Sequence, residues 1–470
     1  MLRATRVSCS TASLTRPEPP FSAASLAQVL FGDLGLSADT FFTVAYSGGL
    51  DSHCLLHALA SLRAVAPLRL QAVHVDHALQ AASASWAHHC LGTCAALDVP
   101  CRVERIEVRP LRGEGVEAAA REARYAVLMR HVPRAGVLVT GHQQDDQAET
   151  VLLQLLRGAG LRGLAGMPGL AAFGDGHIAR PLLGVSRAAL HAYALAQGLP
   201  WIEDPSNQET GYRRNLLRQQ FIPGLQQYWP QMQAALARSA AHAAEAAELL
   251  DGIAAQDLAA CRASGGRTQR LNPAPLSVPA LLGLSQARRR NVLRFWLRSR
   301  GFLAPSFTHL EEIDACLVRD SKSHHVRIAW PQAEVHRYRG ELHVMPPLAA
   351  VPADLCLDWD LVSPLTIPGS GRCLRPVGAT GQGLARARLG AGSVQVRLRA
   401  GGETCRLPGR IHRHQLKKLL QAAGIEPWLR ERLPLVYVEG ELAAVADLWV
   451  CEPFAARNEE PAVALVWELC

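Results

Sequence analysis

The sequence predicts an α/β protein in which a doubly wound parallel sheet over residues 22–230 is followed by a mainly helical domain over 231–345, a linker at 346–353 and a small α+β domain over 354–470. Three features predict it. Aromatic and β-branched runs alternate with helical-period segments through the first half of the chain. From about Gln231 the texture turns to Ala-rich helices without strand alternation, and short strand-like runs return after Pro346–Pro352. Alternation at the spacing of the first half requires right-handed crossovers and a parallel sheet with helices on both faces.

An amphipathic helix is expected over residues 22–35, leading into a short buried strand at Phe41–Tyr46. His53–Ala64 runs in helical period with Leu55, Leu56 and Leu59 on one side. Strands are then expected at Leu70–Val75, Cys101–Ile106 and Val137–Thr140, with helices at Ser83–Leu97, Val116–His131 and Asp145–Leu156. Gly158–Gly176 holds seven glycines and reads as a mobile segment or a plain surface loop. Before these elements, residues 1–21 carry Arg3, Arg6 and Arg16 without an acid until Glu18, and no apolar face develops; a flexible extension is expected.

Composition narrows the functional classes. With 49% hydrophobic and 19% charged residues the chain is a folded one, and its apolar runs are broken too often to span a bilayer, so a cytoplasmic protein without membrane partners is expected. Basic residues outnumber acidic ones 49 to 41, yet Lys322, Lys417 and Lys418 are the only lysines. A phosphate loop of the Gly-Lys-Ser/Thr kind is thereby excluded from the first half. Arginine forks match phosphate oxygens well, so the balance suits a nucleic-acid partner. Twelve cysteines include no Cys-x-x-Cys, which points to reduced thiols and no structural metal; Cys90, Cys94 and Cys101 read as small core residues.

Between the first strand and helix, Ser47-Gly48-Gly49-Leu50-Asp51-Ser52 is a strand-to-helix turn. Its glycines admit backbone conformations that a Cβ forbids and leave no side chain between a ligand and the amides. Those amides, the two hydroxyls and the positive end of the following helix suit phosphate oxygens, which makes this a nucleotide-binding domain. Asp51 would repel phosphate unless a divalent cation lay between them, so Mg²⁺ is implied with the nucleotide.

In such sheets ligands bind beyond the carboxyl ends of the strands. His74 lies near one such end, where it is either structural or in contact with the base or ribose. Glu117, Arg121 and Arg124 or Tyr125 share a helical stripe that is either an exposed ion pair or leans over the phosphate site from the loop Arg109–Gly115. The stretch Val139–Thr150 puts His142 just past a strand, with Asp145, Asp146 and Glu149 in the next two helical turns. Asp145 can offset the helix dipole; together the acids offer Mg²⁺ ligands or a pocket for an ammonium group. Further on, Arg288, Arg289, Arg290, Arg294, Arg298 and Arg300 interleave with Phe295 and Trp296, either as a solvated helix face or as a surface for an RNA backbone.

SGGLDS, HVDHAL, EAAAREARY, GHQQDDQAET, RPLL at Arg180–Leu183, and WIEDPSN with RRNLLR at Arg213–Arg218, taken in order, resemble the motif series of the tRNA(Ile)-lysidine synthases, a family of N-type ATP pyrophosphatases with a PP-loop. Asp76-His77-Ala78 departs from that pattern, where a second His and a Gly are expected. The resemblance extends to LKK and PWLR near the C-terminus. It implies that ATP adenylates C2 of the wobble cytidine in an isoleucine tRNA with a CAU anticodon, and that free L-lysine then displaces AMP. Ser47, Gly48, Gly49, Leu50, Asp51, Ser52 and His74 would bind ATP, with Asp51 and Asp145 toward Mg²⁺. Asp51, Arg121 and His142 would serve catalysis, and Asp146 and Glu149 would hold lysine. Arg213, Arg214, Arg218, Arg289, Arg294, Lys417, Lys418 and Arg430 would meet tRNA, in a monomer or a homodimer. The competing readings are a tRNA thiolation enzyme on the same fold, which needs a cysteine pair or iron-sulfur cluster, and a tRNA-binding protein with a vestigial ATP site.

Overall fold

The computed structural model describes residues 20–77, 83–106, 116–203, 213–263, 275–303, 305–318, 325–352, 354–390 and 393–469. The expectations for residues 1–19, Ala78, Arg109–Gly115, Asp204-Pro205-Ser206-Asn207 and Lys322, and for the side chain of Glu117, fall outside them. The chain divides into two compact units, residues 1–249 and 250–470.

The first unit opens with α1 (Ala23–Ala27), where Ser22 and Ser25 cap one another's backbone amides, and continues into a π-helical turn at Gln28–Asp33. Then follow β1 (Phe41–Ala45), α2 (Leu50–Leu62), β2 (Arg69–Asp76), α3 (Ser83–Ala96), β3 (Cys101–Arg105), α4 (Val116–His131), β4 (Val137–Val139) and α5 (Gln144–Leu156). Helix α2 begins three residues earlier than its apolar period suggests, because Gly49 serves as N-cap and Asp51 already lies in the first turn. After α6 (Leu161–Leu164) come β5 (Leu170–Phe173), β6 (Gly176–Ala179), α7 (Arg187–Ala196), α8 (Arg213–Leu216), α9 (Ile222–Tyr228) and α10 (Met232–Cys261), which crosses the boundary between the units.

The six strands lie in the order β3-β2-β1-β4-β6-β5. All neighbours pair in parallel except β5 and β6. The order reverses at β1, with β2 on one side and β4 on the other, so the carboxyl ends of β1 and β4 form the topological switch point where such sheets take their ligand. On one face Phe42, Val44, Leu70 and Ala72 pack against Leu55, Leu56 and Leu59 of α2 and Leu190 of α7. On the other, Val73, Leu138 and Ile178 meet Leu128 of α4. Each such leucine contributes about 2 kcal/mol through burial. Cys90 and Cys94 sit wholly within the first core and Cys101 at its edge.

Gly158–Gly176 is not a plain loop, since it contains α6 and most of a hairpin that widens the sheet. Its glycines answer to close packing. Gly174 turns the hairpin at φ +56°, and a Cβ on Gly176 would come within 2.3 Å of the Gly136 carbonyl oxygen.

The second unit contains β7 (Leu276–Ser277), α11 (Val278–Leu282), α12 (Gln286–Ser299), α13 (Phe307–Val318), β8 (His325–Trp330), β9 (Ala333–Tyr338) and β10 (Glu341–Met345). The stretch expected to be mainly helical thus also carries a four-stranded antiparallel sheet, in the order β7-β10-β9-β8. Val335 and Leu342 pack against Leu293, Trp296 and Leu297 of α12 and Ile313 of α13, while Arg, His and Glu at other strand positions dilute the β signal.

The C-terminal region comprises β11 (Cys356–Asp358), β12 (Leu365–Ile367), β13 (Arg372–Thr380), β14 (Leu384–Ala385), β15 (Val394–Arg397), β16 (Thr404–Cys405), β17 (His414–Gln415), α14 (Leu416–Ala422), α15 (Pro427–Arg430), β18 (Leu435–Val438), β19 (Glu441–Val445), β20 (Trp449–Val450) and β21 (Pro461–Leu469). Sheets ordered β11-β15-β18-β19-β20 and β12-β13-β21-β14 supply its core. The β18–β19 hairpin turns at Glu439 and Gly440, φ +50° and +81°.

Candidate active site

Ser47 to Ser52 lies at the end of β1, at the switch point. Gly48 adopts φ +83°, and its carbonyl accepts from the Ile202 amide at 3.0 Å; a Cβ there would lie 2.7 Å from Ile202 and 3.0 Å from the Cys90 sulfur. The two hydroxyls are not free for a ligand as the sequence suggests. Ser47 Oγ and Ser52 Oγ are 3.0 Å apart, Ser52 Oγ donates to the Gly49 carbonyl at 3.0 Å, and the Gly49 amide donates to Ser47 Oγ at 3.3 Å. They shape the turn. The N-terminus of α2 receives no side-chain cap, which leaves its first amides and their positive end for an anion.

Asp51 lies in that first turn with Oδ1 buried and without a hydrogen-bond partner. Burial pushes its carboxyl from an ordinary 3.8 up to about 6, with Arg187 the strongest influence in the other direction. Asp145, at the start of α5, is likewise raised by burial and by Glu149 and Asp146. Two acids of this kind fit Mg²⁺, which takes one or two carboxylates and completes its shell with phosphate and water. Among the described residues no group of three or more metal-ligating side chains exists.

From the end of β4, Thr140, Gly141 and His142 approach the same turn. Thr140 Oγ1 lies 2.8 Å from His142 Nδ1, which fixes the ring and directs Nε2 away from that contact. Burial, opposed by Asp146 and reinforced by Arg180, Arg121 and Arg214, holds His142 down to about 3, so the ring is neutral across the physiological range. His74 is a buried ring whose Nδ1 contacts the Tyr46 carbonyl at 3.0 Å, with the Cys90 sulfur 3.4 Å away. Arg121 is exposed on α4 and donates to the Tyr125 hydroxyl at 3.5 Å.

Asp146 and Glu149 meet two of the arginines expected on RNA. Arg214 donates Nε to Glu149 at 2.6 Å and Nη2 to Asp146 at 3.0 Å; Arg218 donates Nε to Glu149 at 2.6 Å and Nη2 to Asp146 at 3.2 Å. Glu149 is wholly inaccessible to solvent. The reader of the sequence sees two acids three apart and two arginines four apart, but not that helices about 65 residues away bring them together. Arg213 faces solvent.

In the second unit the basic run of α12 is largely engaged with acids. Arg288 meets Asp257, Arg289 meets Asp314 at 2.7 Å, Arg290 meets Glu311 at 3.5 Å and Arg298 meets Asp251 at 2.6 Å. Arg294 is exposed, with no carboxylate partner among the described residues. Trp296 belongs to the core. Lys417 and Lys418 face solvent on α14, whose Leu416, Leu419 and Leu420 are buried. Arg430 donates Nε to the Ile425 carbonyl and Nη2 to the Tyr338 hydroxyl, each at 2.7 Å. Beside it Trp428 packs on His336, ring centroids 4.4 Å apart, so PWLR joins the C-terminal region to β9.

Comparison with known proteins accounts for this arrangement. Residues 23–225 match the PP-loop domain family, 276–343 the TilS substrate binding domain and 394–467 the TilS substrate C-terminal domain. The tRNA(Ile)-lysidine synthase of Methylococcus capsulatus is 40% identical over 434 residues, covering 92% of this chain and 97% of that protein. That of Alkalilimnicola ehrlichii is 42% identical, covering 94% and 96%, and that of Pseudomonas aeruginosa 44% identical, covering 86% and 89%. With three domain matches in order and relatives similar over nearly their whole length, the chain belongs to the tRNA(Ile)-lysidine synthase family.

Proposed function

We propose that this protein uses ATP to join free lysine to C2 of the wobble cytidine of an isoleucine tRNA with a CAU anticodon, through an adenylated tRNA. Membership of the family supports the overall reaction, and the uncapped start of α2, with Gly141 beside His142 packed against it, supports its chemistry. The reaction belongs in the cytoplasm, where ATP, lysine and tRNA meet. Among the described residues no helix is long and apolar enough to cross a membrane.

The amides at the start of α2 hold the departing pyrophosphate charge, and Arg121 meets the adenylated phosphate. Asp51 and Asp145 would hold Mg²⁺, which when bound neutralises phosphate charge and screens both carboxylates from it. His142, neutral and oriented by Thr140, positions the attacking amine. Asp146 and Glu149 receive the lysine ammonium groups. They are bound to Arg214 and Arg218 in the structure, so lysine entry exchanges one cation for another and frees a guanidinium toward tRNA phosphate. Arg213, Arg289, Arg294, Lys417, Lys418 and Arg430 are proposed to act on tRNA, Arg430 and Arg289 by fixing the shape of the binding domains and the others by contact.

The deciding experiment supplies transcript tRNA, ATP, Mg²⁺ and labelled lysine, and scores lysine that stays on the RNA after alkaline deacylation. Stable, ATP-dependent label that disappears with a wobble C-to-U transcript is expected. ATP cleavage without stable label would redirect the assignment to another nucleophile.

A further inference from the structure

Arg180 directly follows β6, whose parallel partner β4 delivers Thr140, Gly141 and His142 to the site. Its backbone is fixed there, with the Arg180 amide donating to the Gly169 carbonyl at 2.7 Å and the Thr140 amide to the Ala179 carbonyl at 3.1 Å. The guanidinium is only partly satisfied. Nη1 donates to the Pro168 carbonyl at 2.9 Å, whereas Nε is buried and has no partner among the described residues. A buried donor left unmet costs about 1–3 kcal/mol, more when charged, so an acceptor from water or a ligand is favoured there.

A second cation sharpens the question. Tyr125 lies beside both Arg180 and Arg121, and the Arg121 guanidinium rests over its ring, 5.1 Å from the centroid. Among the described residues neither arginine has a carboxylate partner, and of the cations around His142 Arg180 acts on it most strongly. Two guanidiniums sharing one phenol beside a neutral histidine make an anion site, and a guanidinium fork suits the oxygens of a phosphate. We propose that Arg180, together with Arg121, binds a phosphate group of the reacting complex on the His142 side of the site, facing the α2 turn. Within the proposed reaction, on which this inference rests, that phosphate comes either from the nucleotide or from the RNA backbone beside the target cytidine.

The test uses the full chain carrying Arg180→Met or Arg180→Lys, with melting curves to establish the folded fraction. ATP binding without tRNA, tRNA binding without ATP, and single-turnover adenylation are measured separately. If the nucleotide supplies the phosphate, Arg180→Met lowers adenylation or ATP affinity about 100-fold while tRNA affinity holds. Should the RNA supply it, tRNA affinity falls and its salt slope drops by about 1 while ATP binding holds. Arg180→Lys, which keeps the charge but loses the fork, is expected to recover only part of either loss. The proposal is overturned if Arg180→Met, corrected for folded fraction, matches the parent within threefold in all three measurements, or if its only effect is a lower melting point. Failure of the parent to incorporate lysine would overturn the lysidine reading alone, because the two binding measurements still report on Arg180.

Discussion

Gly141 lies directly against the backbone of Asp51: a Cβ in its place would come within 3.2 Å of the Asp51 carbonyl oxygen and 3.0 Å of the Ser52 nitrogen. The contact joins the turn after β4 to the start of α2 and sets how far His142 stands from the phosphate turn. Gly141→Ala should therefore lower kcat/KM for ATP by at least about tenfold, since small misplacements at a reacting centre are costly, with a stability loss of about 1–2 kcal/mol. Adenylation kinetics beside a melting curve check it, and unchanged ATP kinetics would remove the role assigned to this contact.

In the proposed reaction Asp51 holds Mg²⁺ against phosphate only when ionised, so kcat/KM for ATP should rise with pH through about 6 and level off above it. Stability runs the other way. The folded pKa lies above the ordinary 3.8, so between those values the native chain keeps a proton that the unfolded chain has released. This group's contribution therefore falls as pH rises through that window, and its cost is complete above about 6. Asp51→Asn should melt higher than the parent at pH 8, by roughly 1–3 kcal/mol, while losing ATP turnover. A lower melting point at pH 8 would contradict the unpartnered carboxylate.

His142 has the opposite sign. Its folded pKa of about 3 lies below the ordinary 6.5, so its contribution is complete above 6.5 and declines as the pH falls and the unfolded chain takes up a proton. His142→Gln should remove about 2 kcal/mol of the stability lost between pH 7 and pH 5. It should also lower kcat without moving the acid limb that Asp51 sets. Unfolding at the two pH values, compared between variant and parent, decides the first point, and a shifted acid limb would count against the second.

Asp146→Asn should raise the KM for lysine about tenfold or more and leave the KM for ATP within threefold, because its carboxylate is assigned to the amine. Equal effects on both substrates would place Asp146 elsewhere in the mechanism. Glu149→Gln is expected to destabilise as well, by about 1–3 kcal/mol, since it removes the inaccessible carboxylate that both guanidiniums share and leaves them Asp146 alone.

Lys417 and Lys418 extend from α14 into solvent. Replacing both with Ala should weaken tRNA binding similarly across sequences and reduce the magnitude of its salt slope by about 1–2, with ATP binding unaffected. Filter binding at several salt concentrations measures it, and an unchanged slope would take these lysines off the RNA surface.

The switch-point turn and the neighbouring His142 stretch were legible because each is a local pattern: a strand, a glycine turn and a helix written in consecutive residues. The β5–β6 hairpin was not, because Gly174 and Gly176 carry the same letters whether they loosen a loop or allow a backbone to approach Gly136. Distance along the chain hid more. Arg214 and Arg218 look free for phosphate until the fold sets them on Asp146 and Glu149, and Arg430 looks like an RNA contact until it reaches Tyr338. Charge alone does not reveal which arginines have already found acids. Arg180 was visible within RPLL, but its unmet Nε becomes apparent only once the neighbouring backbone is in place.

The unmet groups around this site, an uncapped helix end, a lone carboxylate oxygen on Asp51 and the Arg180 Nε, have a consequence for how such a chain changes over generations. Each is a position where a substitution can make the folded protein more robust by silencing it. Selection for heat resistance alone would therefore favour decay of the catalytic centre before decay of the hydrophobic interior. A thermostable descendant that has lost Asp51 should be read as an ancestor's enzyme relieved of its task.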